Sequence, residues 1–370
     1  MSGVAQPASE SGDVLLRLDG VVKHFPVGRG LFPGRDADAV HAVDGVSLEV
    51  RRGETLGLVG ETGSGKSTLA RCATRLHTLT AGRVVFDGHD ISTLSRRELR
   101  PYRRQLQMVF QDPYGSLNPH RRVGSIIGDP LAVHGVAGGP ARRCRVQELM
   151  QLVGLNPEHY NRYPAEFSGG QRQRVGVARA LALRPRLIVC DEPVSALDVS
   201  IRAQILNLLA ELQRELDLTY LFISHDLSVV RQVSDRVAVM YLGKLAEVAP
   251  VAELYRRPRH PYVAALLSAV PVADPDLADR RERIILAGDP PSPIHPPAGC
   301  RFHPRCPKAR ARCVDEAPPL VPRGGDGASH PTACHFPVEP GEDLAHEHAA
   351  IDQPDQEAAD GLPRVAGSTP

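Results

Sequence analysis

The feature that most constrains this 370-residue chain is a short glycine-rich string, Gly60-Glu61-Thr62-Gly63-Ser64-Gly65-Lys66-Ser67-Thr68. It fits G-x-x-x-x-G-K-[ST] and stands in the required context, with the apolar run Thr55 to Val59 before it and helix-favouring residues from Lys66 to about Leu76 after it. The glycines let the backbone turn tightly enough for its N–H groups to converge on phosphate oxygens, and the helix N-terminus adds roughly half a positive charge. Lys66 is expected to reach the β- and γ-phosphates, the Ser67 hydroxyl to ligate Mg²⁺ and Thr68 to donate to the α-phosphate. A second motif completes such a site: Leu187-Ile188-Val189-Cys190-Asp191-Glu192 is an apolar strand delivering two carboxylates at its C-terminal end, where ligands bind in open α/β sheets. Asp191 is expected to hold Mg²⁺, and Glu192 to orient and deprotonate a water for attack on the γ-phosphate. The other use for Glu192 is as a helix cap before Pro193. His225, just past the apolar run Tyr220 to Ser224, is expected to face the γ-phosphate from the opposite side.

The remaining chain reads as strands alternating with helices, hence α/β. Strands are expected at Val14–Phe25, around the Arg51-Arg52-Gly53 turn, at Arg83–Phe86 and at Gln107–Gln111, with a helix at Ile201–Leu216. From about 112 to 175 the pattern turns helical, as in Arg142–Gly154. After Pro250 proline density climbs, and four of the seven cysteines fall between Cys300 and Cys334, which reads as a separate loop-rich appendage. Residues 1–12 read as a flexible leader and 337–370, acidic and poor in large apolar residues, as a disordered tail. The expected boundaries are therefore 13–256 for a nucleotide-binding domain and 257–336 for the cysteine-bearing extension.

Charge excludes several partners. Lys+Arg 44 against Asp+Glu 43 leaves a formal charge of +1, so no global field attracts nucleic acid or an anionic membrane. The basic runs Arg100–Arg104 and Arg142–Arg145 carry no interleaved aromatics and read as solvated helix faces. No apolar run approaches the roughly 20 residues that span a bilayer. The start of the chain has no basic and apolar export pattern, so the cytosol is the expected compartment.

Phe167-Ser168-Gly169-Gly170-Gln171-Arg172-Gln173-Arg174 resembles the signature sequence of ATP-binding cassette (ABC) proteins, and the resemblance extends over about Leu15 to Val248. It implies a RecA-like P-loop NTPase fold with a helical subdomain. It also implies that Ser168, Gly169, Gly170 and Gln171 of one subunit close over ATP held by another, so that an isolated monomer hydrolyses slowly. By the same resemblance Phe25 stacks on adenine, Gln111 touches Mg²⁺ and couples to a membrane partner, and Asp198 in Ser195-Ala196-Leu197-Asp198 signals across the dimer. An aromatic packed on its own loop is the alternative for Phe25. The signature begins with Phe167 where Leu is usual, at a position expected to pack.

Four strings narrow the resemblance: QMVFQDPYGSLNP (Gln107–Pro119), EPVSALDVSIRAQILNLL (Glu192–Leu209), RPRHPYVAALLSAVP (Arg257–Pro271) and GCRFHPRCPKA (Gly299–Ala309). Together they resemble the ATPase subunits of oligopeptide, dipeptide and nickel importers, most closely the F-type subunit. That family implies a heterodimer with a homologous D-type ATPase, two membrane permeases, an extracytoplasmic binding protein and a place on the cytoplasmic face of the membrane. It also places a permease contact near Gln111 and Asp112–Pro119, with Tyr114 and Leu117 as expected coupling residues. The spacing Cys300-x5-Cys306-x6-Cys313-x20-Cys334 is not a common zinc pattern and by itself makes a metal site plausible and no more. Related subunits imply a [4Fe–4S] cluster on these four; zinc and free thiols are the alternatives, with His303 and His335 as neighbours. Cys72, Cys144 and Cys190 read as small apolar fillers. A soluble ABC ATPase acting on nucleic acid or ribosomes is the rival from another class, opposed by one cassette per chain and by only about 100 residues between Lys66 and Ser168. An exporter subunit is opposed by the C-terminal strings. The transported substrate leaves no trace in the sequence.

Overall fold

The computed structural model describes residues 14–27, 38–112, 114–270, 283–322, 330–342 and 344. The expected leader 1–12 and the part of the expected tail beyond 344 lie outside them.

Two sheets organise the described chain. A four-stranded antiparallel sheet has the order β2 (Ala39–Arg51), β1 (Val14–Pro26), β4 (Ala81–Phe86), β5 (His89–Asp90). The larger sheet contains β3 (Thr55–Val59), β6 (Leu106–Val109), β7 (Leu187–Asp191), β8 (Thr219–Ile223), β9 (Arg236–Tyr241), β10 (Lys244–Pro250), β11 (Val321–Pro322) and β12 (Pro331–Thr332), in the order β11-β12-β10-β9-β3-β8-β7-β6. Its centre, β9 to β6, is parallel, which explains why TLGLV, LIVCD and TYLFI are buried along their whole length: a parallel sheet is covered on both faces.

One face packs Leu56, Leu58, Ile223 and Met240 against Leu16, Leu18, Val43 and Val46 of the antiparallel sheet, with Leu69 and Cys72 of α1 (Lys66–Ala73) in the same layer. The expected helix through Leu76 ends at Ala73 because the Thr74 hydroxyl donates to the Ala70 carbonyl and Arg75 turns left-handed. A short α2 (Arg100–Gln105) leads into β6. The opposite face carries α3 (Val123–Val133), α4 (Gly139–Leu152), α5 (Gly169–Leu181) and α6 (Val199–Leu216), whose Ile127, Val146, Met150, Val177 and Ile205 form one core with Ile188 and Tyr220. The first of these helices begins later than expected, since Asp112 and Asn118 accept the N–H groups of Tyr114 and His120 in local turns that compete with helix.

Short helices α7 (Leu227–Val233), α8 (Val251–Arg256), α9 (Pro261–Ser268) and α10 (Ala311–Asp315) complete the described chain. The cysteine-bearing stretch is not the separate appendage expected. Thr332 of β12 pairs with Glu247 of β10, and Tyr262 and Phe302 lie fully buried in the main core against Tyr241, at 4.7 and 5.3 Å between ring centroids. Glu247, itself fully buried, accepts the N–H groups of Arg259 and His260 and pairs with His330, so the join carries a satisfied charge in place of an apolar seam. Lys308 pairs with Glu342, the Val338 N–H donates to the Arg259 carbonyl, and Leu344 is buried, so packed structure continues past 337, where the tail was expected to begin.

Candidate nucleotide-binding and catalytic site

β3 delivers the glycine-rich loop at the C-terminal edge of the parallel sheet. Glycine is obligatory at both ends of the loop: at Gly65, with φ +104°, a Cβ would come 2.0 Å from the Ala42 carbonyl oxygen, and at Gly60 it would come 2.1 Å from that of Met240. Thr62 and Gly63 are exposed at its tip, and Thr68 lies half-buried in the first turn of α1. The Lys66 ammonium donates to the carbonyls of Gly60 and Glu61 at 2.8 and 2.9 Å and sits near the Ser64 hydroxyl. Burial lowers the Lys66 pKa, while the negative charges of Glu192, Asp191 and Glu61 oppose that shift.

Ser67 donates its hydroxyl to Asp191 at 2.7 Å. Burial raises the Asp191 pKa; the Ser67 hydrogen bond and Arg71 oppose it. These paired oxygens beside the loop are the donor set a hard cation requires. Glu192, the next residue, adopts φ +46°, uncommon for a side chain with a Cβ and expected where structure holds a functional group in place. Its carboxylate accepts from the Gln111 amide at 2.9 Å and lies 3.1 Å from Nδ1 of His225. The residues follow the neighbouring strands β6, β7 and β8, so parallel registry alone brings Gln111, Glu192 and His225 together. The carboxylate is not used as a helix cap.

Ser168 caps α5: its hydroxyl accepts the Gln171 N–H, and the Gln171 side chain accepts the Ser168 N–H. Gly169 and Gly170 form the following turn, and Phe167 packs in the core beneath, as expected. Among the described residues, the side-chain hydrogen bonds of Ser168 and Gln171 run to each other and not to the P-loop. Asp198 opens α6 beside the exposed Val199, and the Ser195 hydroxyl donates to the Glu192 carbonyl at 3.1 Å, linking this turn to the carboxylate centre. Phe25, at the end of β1, is part-exposed and meets His77 edge-on at 5.6 Å with Lys23 over its ring; the loop on which it was alternatively expected to pack lies largely outside the described residues.

Sequence reasoning missed two contacts. The Glu61 N–H donates to the Tyr262 hydroxyl at 3.0 Å, and the Glu61 carboxylate receives Arg305 at 3.0 Å. These partners lie 201 and 244 residues downstream, a separation at which no local pattern signals pairing. Arg305 adjoins Cys306, so the cysteine-bearing stretch grips the P-loop directly. There the Cys300 N–H donates to the Cys313 carbonyl. Burial pushes the Cys306 and Cys334 thiols up to about 12; Cys300 and Cys313 push both the same way. His303 and His335 turn ring nitrogens to the carbonyls of Cys300 and Glu316. Cys72 and Cys190 are buried as expected; Cys144 is exposed on α4 and is not a core filler. Leu117 is also a correction, since at 2% exposure it belongs to the core, whereas Tyr114 is 64% exposed under the Arg172 guanidinium.

A phosphate loop, a paired serine and aspartate, and a glutamate held by glutamine and histidine define a P-loop nucleoside triphosphatase, with ATP and Mg²⁺ as its cofactors. Comparison with known proteins places it further. Residues 43–195 match the ABC transporter family model and 246–313 that of the oligopeptide/dipeptide transporter C-terminal region. The oligopeptide transport ATP-binding protein AppF of Bacillus subtilis (strain 168) is 54% identical over 325 residues, covering 88% of this chain and 98% of that one. The di/tripeptide transport ATP-binding protein DppF of Pseudomonas aeruginosa is 49% identical over 308 residues, covering 83% and 94%. Among solved structures, the dimeric post-hydrolysis state of the ATP-binding cassette MJ0796 with ADP and Pi aligns with a TM-score of 0.57 and 30% identity, over 64% of this chain and 99% of that chain. The chain belongs to the ABC transporter family, as an ATP-binding protein carrying the C-terminal region of the oligopeptide/dipeptide transporters. It is an ATPase, and its ATP hydrolysis is coupled to transport. No described helix is long and apolar enough to cross a membrane.

Proposed function

We propose that this chain powers peptide import by hydrolysing ATP in a head-to-tail pair with a D-type ATPase, seated on two permeases at the cytoplasmic face and served by an extracytoplasmic binding protein. The observation that carries the reading is the convergence of Gln111 and His225 on the carboxylate of Glu192, one residue from the Ser67–Asp191 pair. In this arrangement Phe25 stacks on adenine, backbone N–H groups from Glu61 to Thr68 bind the phosphates, and Lys66 turns from its carbonyl partners to the β,γ-bridge. Ser67, Asp191 and Gln111 would hold Mg²⁺, which supplies charge neutralisation at the phosphates. Glu192 takes the proton of a water whose oxygen bonds to the γ-phosphorus as the bond to the β,γ-bridging oxygen breaks; His225 steadies the departing phosphate. Ser168, Gly169, Gly170 and Gln171 serve the partner's ATP, and Asp198 lies at that junction.

A groove of about 500 Å³ lined by Leu76, Arg103, Phe110, Asn118, Val133 and Arg179 lies next to Gln111 and is the seat for a permease helix. Exposed Tyr114, and not the buried Leu117, is the coupling side chain. Uptake of a labelled tripeptide into proteoliposomes holding the assembled transporter tests the reading. Lys66→Ala in this chain should abolish ATP-driven uptake, and unchanged uptake would contradict it.

For the cysteines, the donor chemistry fits a [4Fe–4S] cluster: four thiols fall in one packed stretch of the chain, and soft thiolate ligands are what such a cluster takes. Among the described residues no three of these sulfurs lie within 4.8 Å of one another, wider than the roughly 3.8 Å required around one tetrahedral zinc. Cys300, Cys306, Cys313 and Cys334 would hold the cluster, which supplies a cross-link between α10 and the segments around β12. Anaerobic purification should give a brown protein with iron and acid-labile sulfide; a colourless protein with stoichiometric zinc would decide against iron.

A further inference from the structure

β1 and β2 place a second constellation outside the catalytic centre. His24 and His41 are cross-strand partners, with ring centroids 4.0 Å apart. Between the pairs Lys23–Val43 and His24–His41 the register shifts, leaving Ala42 unpaired, and this bulge swings Asp44 onto the face that His41 occupies. Oδ1 of Asp44 lies 3.3 Å from Nε2 of His24, and one ligating atom from each of the three residues falls within 4.8 Å of the others. The second oxygen of Asp44 is taken by Arg301, which orients the carboxylate and leaves Oδ1 directed at the imidazoles. His24 and Asp44 keep about a quarter of their side chains open to solvent, so an ion can enter.

Two imidazoles and one carboxylate oxygen suit a borderline divalent ion and not Mg²⁺ or Ca²⁺, which prefer oxygen donors throughout. The arrangement also touches the nucleotide site. His24 precedes Phe25. The Asp44 N–H donates to the Gly243 carbonyl and the Gly243 N–H to the Ser64 carbonyl, each at 2.9 Å, while the bulged Ala42 turns its carbonyl toward Gly65. A pin through His24, His41 and Asp44 therefore fixes the end of the hairpin that carries Phe25 and two backbone groups that brace the P-loop.

We propose that His24, His41 and Asp44 form a binding site for a divalent transition-metal ion of the Zn²⁺, Ni²⁺ or Co²⁺ class, and that its occupancy tightens ATP binding. The second half rests on the nucleotide placement given above; the first does not. Preorganising the adenine platform lowers the ordering cost of binding, and linkage requires ATP to tighten the metal by the same factor.

Co²⁺ titration of the full chain without nucleotide tests the site. One equivalent should bind with visible d–d absorption but without the near-ultraviolet charge transfer that thiolate ligation adds, which distinguishes it from the cysteines. His41→Ala, and separately the milder His24→Gln, should weaken it at least about tenfold, the scale on which even supporting residues change metal affinity. Absence of a one-equivalent complex, a thiolate spectrum, or equal affinity in both variants would overturn the site. Fluorescent ATP binding with and without Zn²⁺ tests the link: about fivefold tightening is expected in the parent and none in His41→Ala. Equal ATP affinity with and without Zn²⁺, despite a filled site, would overturn the link.

Discussion

The catalytic centre and the cysteine-bearing stretch solve the same problem, holding polar groups at fixed positions, by different means. At the proposed catalytic centre the parallel sheet does the positioning: Asp191, Glu192, Gln111 and His225 lie at or just beyond strand ends and Lys66 opens α1 one loop after β3, so the registry of β6, β7, β8 and β3 sets their geometry. Beyond Pro250 the ordering comes from single side-chain contacts spanning long sequence distances. Glu247 gathers Arg259, His260 and His330; Arg301 reaches Asp44; Arg305 reaches Glu61. A sheet tolerates loss of one side chain, whereas a framework of isolated polar contacts does not. The stretch should thus be the more fragile region, and the catalytic centre should feel its loss through Arg305.

The largest effect on function is expected at the centre, where hydrolysis should be lost. Lys66→Ala removes the amine that the Gly60 and Glu61 carbonyls hold in the loop, and nucleotide binding should weaken by about 2 kcal/mol or more, roughly thirtyfold, with hydrolysis lost and the melting temperature nearly unchanged. Fluorescent-nucleotide titration beside a thermal melt separates the two readings; a large loss of stability would break the contrast.

Acid should strike the other region next. Burial holds the His260 imidazole down to about 4, while its Nδ1 accepts the Tyr262 N–H and caps α9. An unfolded chain takes up a proton near pH 6.5 that the folded one refuses, so stability should fall as pH drops from about 6.5 toward 4, by roughly 3 kcal/mol. His260→Asn keeps a capping acceptor without that proton and should flatten the profile in denaturant titrations. A profile unchanged by the substitution would place the sensitivity elsewhere.

Arg305→Ala should produce the smallest change. Losing one charged contact to Glu61, with Tyr262 still in place, should weaken ATP binding by about 1 kcal/mol, near fivefold, leaving the four cysteines undisturbed. An unaltered ATP affinity would mean that the two regions meet without communicating.

This difference also explains what could be read from the sequence. The P-loop, Asp191, Glu192 and the Ser168 turn were legible because each combines short-range chemistry with the pattern of a fully buried strand or a capped helix. Burial of β3, β7 and β8 followed from composition alone. The join through Thr332 and Glu247, the grip of Tyr262 and Arg305 on Glu61 and the burial of Leu117 were not legible, because each depends on which distant segments meet in space. Cys144 misled for a related reason: helical periodicity on α4 does not say which face a neighbour will cover.

The central claim is that Glu192 removes the proton from the water that splits ATP. Phosphate release by the assembled ATPase pair carrying Glu192→Gln in this chain tests it most directly. The account predicts that this site retains intact ATP and that its hydrolysis falls by at least about 100-fold, with binding preserved. Release from this site at close to the parent rate would assign the proton to another group.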